Sequence, residues 1–219
     1  MQDLDKFPSG MAALGSWIKS QPTYPGSPDM MRYGLYSCRG TCQCGTGTYS
    51  APGSHGYEKE DTDWMIAAGA QYLKIDSCCG DQNHATAFSD YAKFRDAMNA
   101  SGSQVWFSLC GWESWYSPPD PSIGYLGGAS LGNSWRIAGD GDSWGALTNC
   151  MNTQAGAAPY AGMGGWPGER LMNECVSEEP LYSTISRLPP LRPMSAWSSR
   201  SRRSRSADRP SGVRRRPDG

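Results

Sequence analysis

Tyr72-Leu73-Lys74-Ile75-Asp76 is a compact apolar run that ends on a carboxylate. It is bounded on each side by residues of helical period. Upstream, Glu58 to Ala70 reads as a helix with Trp64, Ala67 and Ala68 on one face. Downstream, Ala85 to Met98 places Phe88, Tyr91, Phe94 and Met98 at helical spacing. A strand set between two helices is the unit from which parallel sheets are built. The same alternation extends outward. Tyr33-Gly34-Leu35-Tyr36, Val105-Trp106-Phe107-Ser108-Leu109 and Ser134-Trp135-Arg136-Ile137 read as strands. Met11 to Ile18 and Trp144 to Met151 read as helices, and a long Gly/Pro-rich loop follows Leu109.

Repeated βαβ units admit a TIM barrel or a doubly wound sheet. No GxGxxG opens a helix, so the dinucleotide-binding form of the doubly wound sheet lacks its signature. Polar or charged residues close several strands, namely Asp76, Cys110 and Asp140. Barrel enzymes keep their chemistry at that end of the strands. The expected fold is therefore α/β, a partial TIM (β/α)8 barrel of roughly strands 3 to 7.

Composition divides the chain. Up to Trp166 there are nine Lys/Arg against fifteen Asp/Glu; from Pro167 onward there are eleven Arg, no Lys and six acids. Residues 1–166 are read as the catalytic domain and 167–219 as a low-complexity basic tail without periodicity, expected to be disordered. The run Ser198 to Ser206 and the triplet Arg214-Arg215-Arg216 admit an Arg/Ser nucleic-acid segment. An acidic, Trp-rich first segment argues against a polyanion and suits neutral ligands with apolar faces, such as sugars. No nucleic-acid partner is expected. Most of the tryptophans are expected to fill the core.

The chain has eight cysteines and two isolated histidines, His55 and His84, with no paired CxxC units. Disulfides in an oxidising compartment fit this better than a metal site. Asn99-Ala100-Ser101 matches the glycosylation acceptor pattern. The chain shows no signal peptide and no apolar run of membrane-spanning length, so no membrane association is expected.

Retaining glycoside hydrolysis uses two carboxyl groups about 5–5.5 Å apart, one as nucleophile and one as acid/base. Asp76 and Asp140 lie 64 positions apart. That is two βα units of about 31 residues, which puts both at the same barrel mouth.

Local motifs sharpen this reading. Phe7-Pro8-Ser9-Gly10-Met11, Tyr33-Gly34-Leu35-Tyr36 and Gly53-Ser54-His55-Gly56-Tyr57-Glu58 resemble segments of the melibiase-type α-galactosidases, glycoside hydrolase family twenty-seven. Tyr72 to Cys78, Ser108-Leu109-Cys110, Gly132 to Asp140 and Gly162-Met163-Gly164-Gly165-Trp166 continue the resemblance in the family's order. It implies an α-galactosidase acting on terminal α-galactosyl residues, with Asp76 as nucleophile and Asp140 as acid/base. By the same resemblance Lys74 and Arg136 bind sugar hydroxyls, and Tyr36 and Trp112 line the pocket. Cys44 and Cys78 would form a rim disulfide. No cofactor is implied, metal or organic. The complete protein would be secreted, lysosomal or vacuolar, and a homodimer is compatible with the resemblance.

Three departures stand out. The family's first strands would precede Met1. The glutamate expected after Cys110 is Gly111, and Trp112-Glu113-Ser114-Trp115 stands where sugar specificity is set. That leaves N-acetylgalactosamine open as the sugar. After Trp166 the family's acidic segment is replaced by Pro167-Gly168-Glu169-Arg170, the pattern of a frameshift or misjoined exon. The chain as written is expected to be an incomplete, poorly soluble version with little activity of its own, at most a carbohydrate- or protein-binding remnant.

Overall fold

The computed structural model of the chain describes residues 3–45, 51–140 and 143–168. Of the tail expected over 167–219, Pro167 and Gly168 are in a strand and not disordered, and 169–219 lies outside the described residues.

Five strands form one sheet: β1 Gly34–Cys38, β2 Tyr72–Asp76, β3 Trp106–Cys110, β4 Ser134–Arg136 and β5 Trp166–Gly168. They lie side by side in sequence order, and every neighbouring pair is parallel. A doubly wound sheet reverses its strand order at a switch point, whereas a barrel does not. The unreversed order selects the barrel, of which the described residues form an open arc with β1 and β5 at its edges. β5 carries the sheet two residues past Trp166.

The helices are α1 Gly10–Lys19, α2 Glu58–Ala67, α3 His84–Ser101 and α4 Trp144–Ala157. α3 is bounded by Asn83, whose side chain accepts from the N–H groups of Ala85 and Thr86. Gly102 ends it at φ 68°, a left-handed conformation in which glycine carries no Cβ penalty. α4 runs six residues beyond the apolar stripe that marks it, through Asn152 to Ala157. Between β3 and β4 there is no α-helix, only 3₁₀ turns at Ser114–Tyr116, Pro121–Ile123 and Gly128–Ser130. Aromatic contacts with α3 anchor this long segment: Phe88 stacks on Tyr125 at 3.5 Å and meets Tyr116 edge-on at 5.6 Å.

Strand alternation sorts the side chains. Leu73, Ile75, Phe107, Leu109 and Trp135 are buried and join Phe88, Tyr91 and Phe94 of α3 in the core. Burying each such side chain stabilises the fold by roughly 1.5–3 kcal/mol. The alternate positions, Tyr36, Lys74, Asp76, Ser108, Cys110 and Arg136, occupy the opposite face.

Two expectations about tryptophan fail. The inner face of α2 is Glu58, Thr62, Met65 and then Ala68, while Trp64 is 43% exposed. α2 turns Thr62, Met65 and Ala68 into the core and leaves Trp64 outside, and on the same inner face Glu58 meets Lys93 of α3 at 3.1 Å. Nor do tryptophans fill the core. Among the described residues Trp135 alone is buried; Trp17, Trp64, Trp144 and Trp166 are exposed. Smaller apolar residues and the tyrosines of the 111–133 segment occupy the space instead.

Candidate active site

Asp76 is the last residue of β2, held in register between Cys38 of β1 and Cys110 of β3. It is 7% exposed. Its Oδ2 accepts from the Tyr36 hydroxyl at 2.6 Å, and its Oδ1 accepts from the Ser77 N–H at 2.8 Å. Both carboxylate oxygens are therefore fixed by donors. The Tyr36 ring is partly open to solvent, yet its hydroxyl is turned inward. Burial and the Asp76 carboxylate hold the Tyr36 phenol well above the usual tyrosine value.

Arg136 closes β4 and is 9% exposed. Its guanidinium splits three ways. Nε donates to Ala138 O at 2.8 Å, Nη1 approaches Cys110 Sγ at 3.7 Å, and Nη2 pairs with Asp140 Oδ1 at 2.7 Å. Asp140 does not itself close the strand. It lies four residues further on, with its side chain 64% exposed, because the backbone turns at Ile137–Gly139 and the guanidinium draws the carboxylate back. Asp76, Cys110, Arg136 and Asp140 thus form a continuous line of neighbours across the strand ends. Burial first, and then the charge of Asp76, push the Cys110 thiol up to about 11; Lys74 and Arg136 oppose this. Lys74 lies half-buried on the same face, paired with Tyr36 and Ser108 in the ladder.

Trp112 stands two residues past β3 at φ 69°. A left-handed conformation is uncommon for an aromatic residue, costs on the order of 1–3 kcal/mol, and is found disproportionately at functional sites. The neighbouring Gly111 has a steric origin: a Cβ there would lie 2.1 Å from the Tyr116 ring. Tyr116 occupies the volume that a glutamate would need.

Two disulfides tie down the loop that follows Asp76. Cys44 bonds Cys78 with Cα atoms 5.3 Å apart, and Cys42 bonds Cys79 at 5.5 Å. Sequence reasoning assigns no partners to the second pair. It also misses a supporting network. Arg39 is fully buried and donates to Ser77 Oγ, to Asp81 O, and to Asp90 at 3.3 Å. It supports the loop that follows Asp76. Two signals point to it: Arg39 is the one charged residue between Tyr33 and Tyr57, and Asp90 sits on the apolar stripe of α3. Separately, a cavity of about 320 Å³ lined by Met31, Arg32 and Gln71 lies at the N-terminal ends of β1 and β2, away from Asp76.

Residues 1–174 match the family model described as "Alpha galactosidase A". The chain is 33% identical over 162 residues to an alpha-galactosidase of Cyamopsis tetragonoloba, covering 73% of this chain and 34% of that protein. It is 34% identical over 162 residues to alpha-galactosidase 2 of Arabidopsis thaliana, covering 73% and 36%. Among solved structures it resembles the alpha-galactosidase of Saccharomyces cerevisiae, with a TM-score of 0.56 and 27% identity over 76% of this chain and 38% of that one. Alpha-galactosidase I of Mortierella vinacea gives a TM-score of 0.58 at 27% identity, covering 75% and 43%. The chain spans about a third of the length of the curated relatives it matches. With an unreversed parallel sheet, an aspartate at the end of β2 and a match over most of its length, the chain belongs to the alpha galactosidase A family of (β/α)8-barrel glycoside hydrolases.

Proposed function

We propose that residues 1–166 are the catalytic segment of a retaining α-galactosidase. Asp76 is the nucleophile and Asp140 the acid/base. The observation that carries this is the contrast between the two carboxylates. Asp76 is buried with both oxygens oriented, as a nucleophile requires; Asp140 is open to solvent on the far side of Arg136, as a group exchanging protons with leaving group and water requires. In the first step Asp76 attacks the anomeric carbon while Asp140 protonates the departing oxygen. In the second, Asp140 deprotonates a water that displaces the sugar from Asp76. Lys74 and Arg136 donate to sugar hydroxyls, where a cation fixes orientation. Trp112 offers its face to the apolar side of the ring.

The substrate class is a terminal α-galactoside. The solved Saccharomyces cerevisiae relative is described with raffinose, an oligosaccharide of that class. The two disulfides favour a secretory route ending outside the cell or in a vacuole or lysosome. Among the described residues no helix is long and apolar enough to cross a membrane.

Among the described residues the sheet is an open arc, which favours a second reading for the chain: a form that binds sugar without turning it over. Two proteins assayed side by side separate these readings. The 219-residue chain and a chimera with residues 7–166 in the matching span of the Saccharomyces cerevisiae enzyme are both given an aryl α-galactoside. The chimera is expected to hydrolyse it, and Asp76→Asn or Asp140→Asn to remove most of that rate. A 219-residue chain that binds galactose without hydrolysis, beside an active chimera, would establish the second reading, and a chimera that binds without hydrolysis would contradict the first.

A further inference from the structure

Cys38 closes β1 beside Asp76, is fully buried, and takes part in neither disulfide. Its sulfur lies 3.5 Å from Cys44 Sγ, which is itself bonded to Cys78. The three sulfurs lie within 4.8 Å of one another. The Cys44 N–H donates to Cys38 Sγ at 3.3 Å, so the backbone of one sulfur's residue is already aimed at the other. We propose that Cys38, Cys44 and Cys78 form an intramolecular thiol–disulfide exchange site: Cys38 bonds Cys44 and leaves Cys78 as the thiol beside the nucleophile.

The step balances without an external oxidant. The Cys38 thiol loses its proton, and the thiolate electron pair forms the Cys38–Cys44 bond. The Cys44–Cys78 bond breaks with its electron pair on Cys78, which takes up a proton from water. One disulfide is consumed and one is formed. The fold can tolerate the exchange because Cys42–Cys79 joins the same two loops in both states.

Four groups face the Cys38 sulfur: the Tyr36 hydroxyl at 3.7 Å, the N–H groups of Cys44 and Cys78, and the Asp76 carboxylate across the ladder. Burial, helped by the negative charge of Asp76, raises the thiol above its ordinary value, while the hydroxyl and the two N–H groups act the other way. At neutral pH the sulfur is held as a thiol and exchange is slow. The rate should rise about tenfold per pH unit until the thiol ionises. Exchange would also reach the site, because the Tyr36 hydroxyl that contacts Cys38 is the one that donates to Asp76.

The test uses the 219-residue chain and needs no enzymatic activity. Trypsin cuts after Arg32, Arg39, Lys59, Lys74 and Lys93, so Cys38 leaves on its own peptide, separate from Cys42/Cys44 and from Cys78/Cys79. The chain is held without oxygen at pH 7 or pH 9, quenched with acid at intervals, alkylated with N-ethylmaleimide near pH 6.5, digested and mapped by mass spectrometry. We expect the Cys38 peptide to become linked to the Cys42/Cys44 peptide about 100-fold faster at pH 9. Alkylation should move to the Cys78/Cys79 peptide in step. The proposal is overturned if Cys38 is only ever alkylated at pH 9, or if the Cys42–Cys79 bridge opens at the same rate. A Cys78→Ser variant supplies an independent check. On exposure to air its Cys38 and Cys44 should pair, whereas recovery of both as alkylated thiols in a folded chain would also overturn the proposal.

Discussion

The Tyr36 hydroxyl donates to Asp76 Oδ2 at 2.6 Å across adjacent strands, from positions two residues apart in ladder register. The contact is possible because Tyr36 reaches forward from the middle of β1 to the end of β2. It leaves the second carboxylate oxygen to the Ser77 N–H. A hydrogen bond to a charged group contributes about 1.5–3 kcal/mol. Tyr36→Phe in the chimera should therefore lower kcat about 10- to 100-fold with the fold intact by circular dichroism. An unchanged kcat would show that Ser77 alone suffices to orient Asp76.

At Gly111, where the sequence reading expects a glutamate, the structure supplies a steric reason for the glycine. A Cβ at this position would overlap the buried ring of Tyr116. Gly111→Glu, although it installs the residue expected from the resemblance, should destabilise the chain by roughly 1–3 kcal/mol through overpacking. Urea unfolding of the two chains measures this. Equal midpoints would mean that Tyr116 moves aside at no cost.

Arg39 and Asp90 form an ion pair whose side chains are 0% and 6% exposed. Removing either partner strands a buried charge, at a cost of about 3–5 kcal/mol. Asp90→Asn should be severely destabilising. The double variant Arg39→Met with Asp90→Leu should be less so than either single change. A double variant as unstable as the sum of the singles would mean the pair acts independently.

Burial holds the phenols of Tyr33, Tyr36, Tyr91, Tyr116 and Tyr125 above the ordinary tyrosine value, Tyr116 at about 12. The folded state thus keeps protons that the unfolded chain releases near pH 10, so its contribution is intact below that pH and lost above it. In a Cys38→Ser background, the urea midpoint should begin to fall near pH 9, where the Cys110 thiol of the unfolded chain ionises, and fall more steeply between pH 10 and 12. A midpoint unchanged to pH 12 would contradict the burial of these hydroxyls.

Much of the architecture is legible in the sequence because its signals are local. β2 has the bounds its apolar run marks, and the stripe Phe88, Tyr91, Phe94, Met98 is buried on α3 as its spacing requires. What is not legible depends on partners distant in sequence. The inner face of α2, Thr62, Met65 and Ala68, packs against elements distant in sequence, among them α3 through Glu58 and Lys93, so Trp64 cannot be oriented from its own helix. The segment 111–133 has no period because stacking, not repetition, holds it. Adjacent Cys78 and Cys79 could each take several partners, and the backbone turn at Cys79, φ 53°, is what sends the two sulfurs to different ones. Asp76 is readable as the end of a strand. The placement of Asp140 depends on a turn and on an Arg136 side chain that no pattern encodes.

Trapping the sugar on the protein tests the assignment of Asp76 most directly. The chimera is incubated with a 2-deoxy-2-fluoro-α-galactosyl donor bearing a good leaving group, which slows the second step so that a covalent glycosyl-enzyme accumulates. Tryptic mapping then locates the added mass. One fluorogalactosyl group is expected on the peptide from Ile75 to Lys93, ester-linked to Asp76, and none in the Asp76→Asn chimera. A label on Asp140, or turnover that yields the inverted sugar with no covalent species, would contradict a double displacement through Asp76.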